Sequence, residues 1–282
     1  FLQAFLSTRY SRSAYLCGTM QLESLTKNVT EIAKQAGDFI RQERKNFSLD
    51  KIEYKGLNDL VSYVDKNAEK IIVASLEKLL PEAGFITEEK TTTKTGERYN
   101  WIIDPLDGTT NFIHGVPTYS VSIALKEYDE LVSGVVYEVN LDECFYAHKD
   151  SAAYLNGSEI RVTNTDQLKS SLVATGFPCY NFEKQQAYIE LFTELMQSCH
   201  GLRRLGSAAV DLVYTACGRF EAFYEYNLNA WDIAAGVLIV RQAGGEVVNF
   251  SGGREVLKTR ELLATNGKIT NEMLGTIQKY FG

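Results

Sequence analysis

The stretch "WIIDPLDGTTNF" at residues 101–112 constrains this chain most. Its apolar start, Trp101-Ile102-Ile103, reads as a short buried strand ending in Asp104. Pro105 fixes its own φ and disfavours helix at Asp104, and Gly108 relaxes the backbone just after Asp107. The spacing predicts a sharp turn that brings both carboxylates to one side. Carboxylates held so close raise each other's pKa unless a cation sits between them. A hard ion such as Mg2+ takes oxygen ligands and keeps several waters. This turn offers two carboxylates and the main-chain carbonyl of Leu106. "GTTNF" then predicts a short helix whose first amides, on Gly108, Thr109 and Thr110, favour an anion such as phosphate. A cation site beside an anion-binding helix start describes phosphoryl chemistry.

Overall charge agrees with that reading. The chain carries a formal charge of −7 over 282 residues and has no Lys/Arg stripe, which argues against direct nucleic-acid binding. Bound metal would supply the local positive field that an anionic substrate needs. With 45% hydrophobic residues the chain can bury a sizeable core, and no run approaches a membrane span. The five cysteines are widely spaced without a CxxC pair, and are read as free thiols in a reducing cytoplasm. The three histidines lie far apart, so a zinc site is not expected. Residues 1–19 lack an acid and a helical stripe, and are read as an extension outside the fold.

From Leu22 the apolar positions Leu25, Val29, Ile32, Ala36 and Phe39 fit one helical face. "YKGLNDLVSYVD" breaks at glycine and alternates toward Asp65, which is expected to cap the helix "KNAEKIIVASLEKLL". "GFITEE" reads as a strand ending in two acids, before a polar loop. "YSVSIAL" and "LVSGVVYEV" read as strands, and Asn156-Gly157 as the turn of a further hairpin. In the second half strands alternate with helices. "SLVATG", "RFEAFYEY", "EVVNF" and "LLATN" are the strands. "YIELFTELMQSC", "GSAAVDLVYTACG", "WDIAAGVLIVRQAGG" and "NEMLGTIQKYF" are the helices. The expected architecture is one compact unit, residues 20–282, with sub-domains of about 20–150 and 151–282.

Asp65, Glu88, Asp104, Asp107 and Asp232 all stand at element ends, with Glu89 beside them. Loops and element ends are where rigid scaffolds present functional groups. Singly, each is more often a helix cap or a solvated surface acid; the Asp104–Asp107 pair is harder to explain that way.

These residues resemble the inositol monophosphatase family of Mg2+-dependent, lithium-sensitive phosphatases. "WIIDPLDGTTNF" and "WDIAAGVLIVRQAGG" at 231–245 fit its two signatures, with "DLVSYVDKNAEK" and "GFITEE" in the expected order. The resemblance implies a mixed α/β fold, a layered α-β-α-β-α sandwich, assembled as a homodimer. It implies one Mg2+ on Glu88, Asp104 and the Leu106 carbonyl. A second would lie on Asp104, Asp107 and Asp232, and a third, weaker one near Glu88. Thr109 would orient the attacking water, with Glu88 and Asp65 nearby. Gly108, Thr109, Thr110, Ala208, Glu225 and Asp232 would contact the substrate. The implied reaction is in-line attack of water on a polyol phosphate ester, without a phospho-enzyme.

Two other readings stay open. A 3′-phosphoadenosine 5′-phosphate nucleotidase or fructose 1,6-bisphosphatase would share the metal aspartates. Thr110-Asn111 after "DGT" instead resembles the inositol phosphatase branch. In the other, the chain acts by binding a protein partner, with catalysis incidental.

Overall fold

The computed structural model describes residues 21–47, 63–177 and 183–282 in full, and only the backbone of 15–16, 19–20, 52–56 and 59–62. Most of the segment read as an extension, residues 1–19, lies outside that description. Within it, two short strands, β1 (Tyr15–Leu16) and β2 (Thr19–Met20), pair antiparallel.

The first half builds a long helix and a large sheet. α1 (Leu22–Lys45) buries Leu25, Val29, Ile32 and Ala36 of the expected stripe; Leu22 and Phe39 are only partly buried, and Ile40 takes the buried position at its end. The antiparallel pair β3 (Ile52–Gly56) and β4 (Asp59–Ser62) leads into α2 (Tyr63–Leu79). β5 (Gly84–Thr87), β6 (Tyr99–Asp107) and the short α3 (Thr109–His114) follow. β7 (Ser120–Glu127), β8 (Glu130–Glu138), β9 (Glu143–His148), β10 (Ala153–Leu155) and β11 (Ser158–Ile160) complete a sheet ordered β11-β10-β9-β8-β7-β6-β5. The β10–β11 turn is the expected Asn156-Gly157, both with positive φ.

The second half gives β12 (Leu172–Thr175), α4 (Gln185–Ser198), β13 (Gly201–Arg203), α5 (Ala208–Ala216) and β14 (Ala222–Tyr226). It continues through α6 (Ala230–Gln242), β15 (Glu246–Val248), α7 (Val256–Thr259), β16 (Glu261–Thr265) and α8 (Thr270–Phe281). Its strands form a smaller mixed sheet, ordered β13-β12-β14-β16-β15. The sequence pattern did not mark β13 or α7, which are only three and four residues long.

Five layers result. α1 and α2 pack on one face of the large sheet, and α5 and α6 lie between the two sheets. α4 and α8 cover the far face of the small sheet. This is the expected α-β-α-β-α sandwich. Strand alternation sorts the side chains. Trp101, Ile103, Val121 and Ile123 face α1 and α2, while Ile102, Ala124 and Val136 face α5 and α6. The inner face uses small residues because helix and sheet backbones approach closely there: a methyl on Gly134 would lie 2.8 Å from the Ala235 carbonyl oxygen.

Two local expectations are corrected. Asp65 does not cap α2. The helix starts at Tyr63, so Asp65 lies inside its first turn with its side chain fully buried. Nor does β6 end at Asp104. It runs through Pro105 to Asp107, and its register against β7 shifts between Asp104 (opposite Ser122) and Asp107 (opposite Ser120). Three steps on β6 thus oppose two on β7, which is a β-bulge. Proline, lacking an N–H, is tolerated at such a bulge.

Candidate active site

The bulge does what the expected turn was to do. In a regular strand, residues three apart point to opposite faces. The extra residue restores both aspartates to the face toward α5 and α6, while Leu106 packs on the opposite side with Trp101 and Ile103. Asp104 closes the bulge on itself, since its Oδ1 accepts from the Leu106 amide at 2.9 Å. Asp107 reaches the start of α5, where its Oδ2 accepts from Ser207 Oγ at 2.6 Å and from the Ala209 amide at 2.7 Å. Ser207 is itself the N-cap of that helix.

Gly108 follows at φ +95°, a left-handed conformation that suits glycine, and a Cβ there would meet the Thr118 carbonyl oxygen at 3.0 Å. It begins α3. The first intrahelical bond comes from the Phe112 amide to the Gly108 carbonyl, so the amides of Gly108, Thr109 and Thr110 precede the ladder, as expected. Thr109 Oγ1 lies 2.7 Å from Asp65 Oδ1 and 3.0 Å from the Leu106 carbonyl oxygen, placing its hydroxyl proton between two acceptors. Asn111 is structural: its amide donates to the carbonyls of Thr118 and Leu205.

Asp232 stands in the first turn of α6, two residues after its start at Ala230, and its Oδ2 accepts from the Asn229 amide at 2.6 Å. Glu88 follows β5, its amide bonded to the Ile103 carbonyl. Glu225 lies near the end of β14, packed so tightly on Gly176 that a methyl there would overlap its carboxylate. Ala208, the first residue of α5, is buried.

Electrostatics identify which of these acids face one another. Asp104 is pushed well above the usual carboxylate range, first by burial and then by the charges of Glu88, Asp107 and Asp232. Burial also lifts Asp232 to about 7, aided by Asp107. Asp107 rises to about 6 through burial, against the lowering effect of its donors from Ser207 and Ala209. Glu225 rises to about 8 through burial, opposed by Arg204 and reinforced by Asp232 and Asp107. Glu88, Asp104, Asp107, Asp232 and Glu225 are therefore one electrostatic neighbourhood, drawn from β5, β6, β14 and α6.

Among the described residues no group of three or more His, Cys, Asp and Glu side chains is placed to hold a metal ion. The donors offered are carboxylates plus the Leu106 carbonyl, all oxygen. That suits a hard cation that keeps several waters, and not a closed zinc cage. The Mg2+ expected from sequence fits this donor chemistry.

Sequence reasoning missed three residues here. Ser207 bridges Asp107 to α5. Asp211, one helical turn on, is buried and pushed up by burial and by the charges of Glu225 and Asp107. Glu69 accepts from the 88–91 loop. An acid inside an otherwise apolar helical stripe was the available signal for the last two.

Comparison with known proteins agrees with the fold. The model of the inositol monophosphatase family matches residues 21–280. An inositol-1-monophosphatase of Mesorhizobium japonicum is 36% identical over 261 residues, covering 92% of this chain and 98% of that protein. The Nus factor SuhB of Pseudomonas aeruginosa is 40% identical over 253 residues, covering 88% and 93%. The crystal structure of extragenic suppressor protein SuhB from Bartonella henselae superposes with a TM-score of 0.85 at 36% identity, covering 91% of this chain and 99% of that one. With a family match over residues 21–280, long alignments and the same fold, the chain belongs to the inositol monophosphatase family.

Proposed function

We propose that the chain is a Mg2+-dependent phosphomonoesterase that hydrolyses inositol monophosphate or a similar polyol monophosphate. Residues 20–282 act as one catalytic unit. The observation that carries this reading is the β6 bulge. It sets Asp104 and Asp107 on one face, toward Asp232, beside the amides that open α3.

Glu88, Asp104, Asp107, Asp232 and the Leu106 carbonyl would hold two Mg2+ ions, with a third, weaker one near Glu88. Bound Mg2+ supplies charge neutralisation at the phosphate and a more acidic water. The protein's own residues do the rest. The amides of Gly108, Thr109 and Thr110 bind phosphate oxygens. Thr109, its proton held toward Asp65 and Leu106, offers a lone pair that orients the attacking water along the P–O axis. Glu88 stands near to take up the proton that this water loses, the departing polyol oxygen gains a proton in turn, and Asp65 holds the Thr109 hydroxyl in place. Glu225 and Asp232 read hydroxyls of the polyol, and Ala208 leaves room for its ring.

The chain acts as a homodimer in the cytoplasm. Phe177, Ile189 and Met196 are exposed, and the last two lie two turns apart on one face of α4, which suits a second copy. A second reading, a protein-binding role with incidental catalysis, is favoured by the SuhB relative's name as a Nus factor.

The test is phosphate release from inositol 1-phosphate, 3′-phosphoadenosine 5′-phosphate and fructose 1,6-bisphosphate, with and without Mg2+ and Li+. Mg2+-dependent, Li+-inhibited release from the first is expected. Preference for either of the others would reassign the substrate, and no release from any of them would favour the protein-binding role.

A further inference from the structure

We propose that Glu69 is a positioning residue for the cation site: it ties the 88–91 loop to α2 and so sets Glu88 against Asp104. The proposal rests on the Mg2+-dependent reading above.

α2 carries two fully buried carboxylates one turn apart, Asp65 and Glu69, within the stripe formed by Val64, Ala68, Ile72 and Leu76. They point to two different arms of the site. Asp65 accepts from Thr109, at the start of α3. Glu69 accepts three times from the loop after β5. Its Oε2 takes the Glu89 amide, and its Oε1 takes both the Thr91 amide and the Thr91 hydroxyl, each at 2.8 Å. One rigid helix thus fixes the spacing between the arm that would orient water and the arm that carries Glu88.

The same loop is held separately at its far end. The Phe85 amide donates to the Lys94 carbonyl at 2.8 Å. Asn100 clamps Gly96 by accepting from its amide at 3.1 Å and donating to its carbonyl at 2.7 Å. Gly84 and Gly96 meet so closely that neither has room for a Cβ. Those contacts anchor residues 94–100, and the Glu88 amide is tied to the Ile103 carbonyl of β6; Glu69 adds three bonds to the turn that follows Glu88. Connecting loops are generally more mobile than the elements they join, and three bonds to a buried carboxyl limit that mobility. Groups that orient metal ligands typically change metal affinity by roughly 10–100-fold when altered.

The test uses the full chain and its Glu69→Gln and Thr91→Ala variants. Gln is isosteric but turns an NH2 toward an amide that needs an acceptor; Ala removes one of the three donors and leaves Glu69 in place. Mg2+ binding is measured by calorimetry, and Mg2+ half-activation and kcat by phosphate release. Glu69→Gln should weaken Mg2+ binding about tenfold and raise half-activation in parallel, with kcat at saturating Mg2+ largely kept. Thr91→Ala should shift both in the same direction by a smaller factor. Wild-type Mg2+ affinity in folded Glu69→Gln, or in folded Thr91→Ala should the first variant not fold, overturns the proposal. So does a fall in thermal midpoint and kcat with Mg2+ affinity intact, which would make Glu69 merely structural. A wild-type chain that neither binds Mg2+ nor releases phosphate would overturn the functional reading itself, and the role of Glu69 with it.

Discussion

Two sets of buried carboxylates, on different elements of the fold, are treated differently. On α2, Asp65 and Glu69 meet hydrogen-bond donors: a threonine hydroxyl for the first, two amides and a hydroxyl for the second. Across β6 and α6, Asp104 and Asp232 are pushed toward their neutral forms by burial and by other acids. Burial alone therefore does not mark the site. What marks it is that the acids face each other, an arrangement that is costly without a cation. The first set braces the frame, and the second is what the frame holds.

Substitutions should separate the two sets by the sign of their effect on stability. The largest effect belongs to Asp104→Asn. It should cut Mg2+-dependent phosphate release by roughly 10²–10³-fold while raising the thermal midpoint of the metal-free chain, because the cost of burying and neutralising that carboxyl among other acids is gone. A lower midpoint would place Asp104 with the bracing set. Thr109→Ala removes a donor from Asp65 and the group that orients water. A loss of about 100-fold in kcat is expected from the misplaced water, with about 1 kcal/mol of stability read from urea unfolding. Unchanged kcat would leave Thr109 a purely structural tie. Glu225→Gln should raise KM for inositol phosphate several-fold and leave KM for a simple aryl phosphate nearly constant. Equal changes would remove Glu225 from substrate recognition.

The smallest effect is the pH dependence of the metal-free chain. Glu225, Asp232 and Asp107 have folded values of about 8, 7 and 6, above the ordinary range near 4. The folded state thus binds protons more tightly than the unfolded chain. Stability should rise as pH falls from about 8 toward about 4 in EDTA, and be lost as pH climbs back through those values. Added Mg2+ should flatten the slope. A metal-free chain that is most stable at pH 8 would show that these acids do not repel one another.

Much of this was legible in the sequence, and the reasons are local. The apolar stripe from Leu22, the Asn156-Gly157 turn and the alternation through "YSVSIAL" are patterns of a few residues, and each formed the element it predicted. The layer order followed from the family resemblance. The route by which Asp104 and Asp107 share a face was misread, because Pro105 suggests a turn while the pairing of β6 with β7 continues past it as a bulge. Only the partner strand reveals that. The partners of Asp107 on α5, a hundred residues away, and of Glu69 on the 88–91 loop depend on how layers meet. No local pattern encodes them, beyond the oddity of an acid in an apolar helical stripe.

The account stands most directly on one titration: Mg2+ into the metal-free chain and into Asp104→Asn, followed by calorimetry at neutral pH. The facing carboxylates predict clear binding by the wild type, accompanied by release of protons, and binding greatly weakened in the variant. Equal heats and equal affinity in the two would contradict the claim that the β6 bulge builds a cation site.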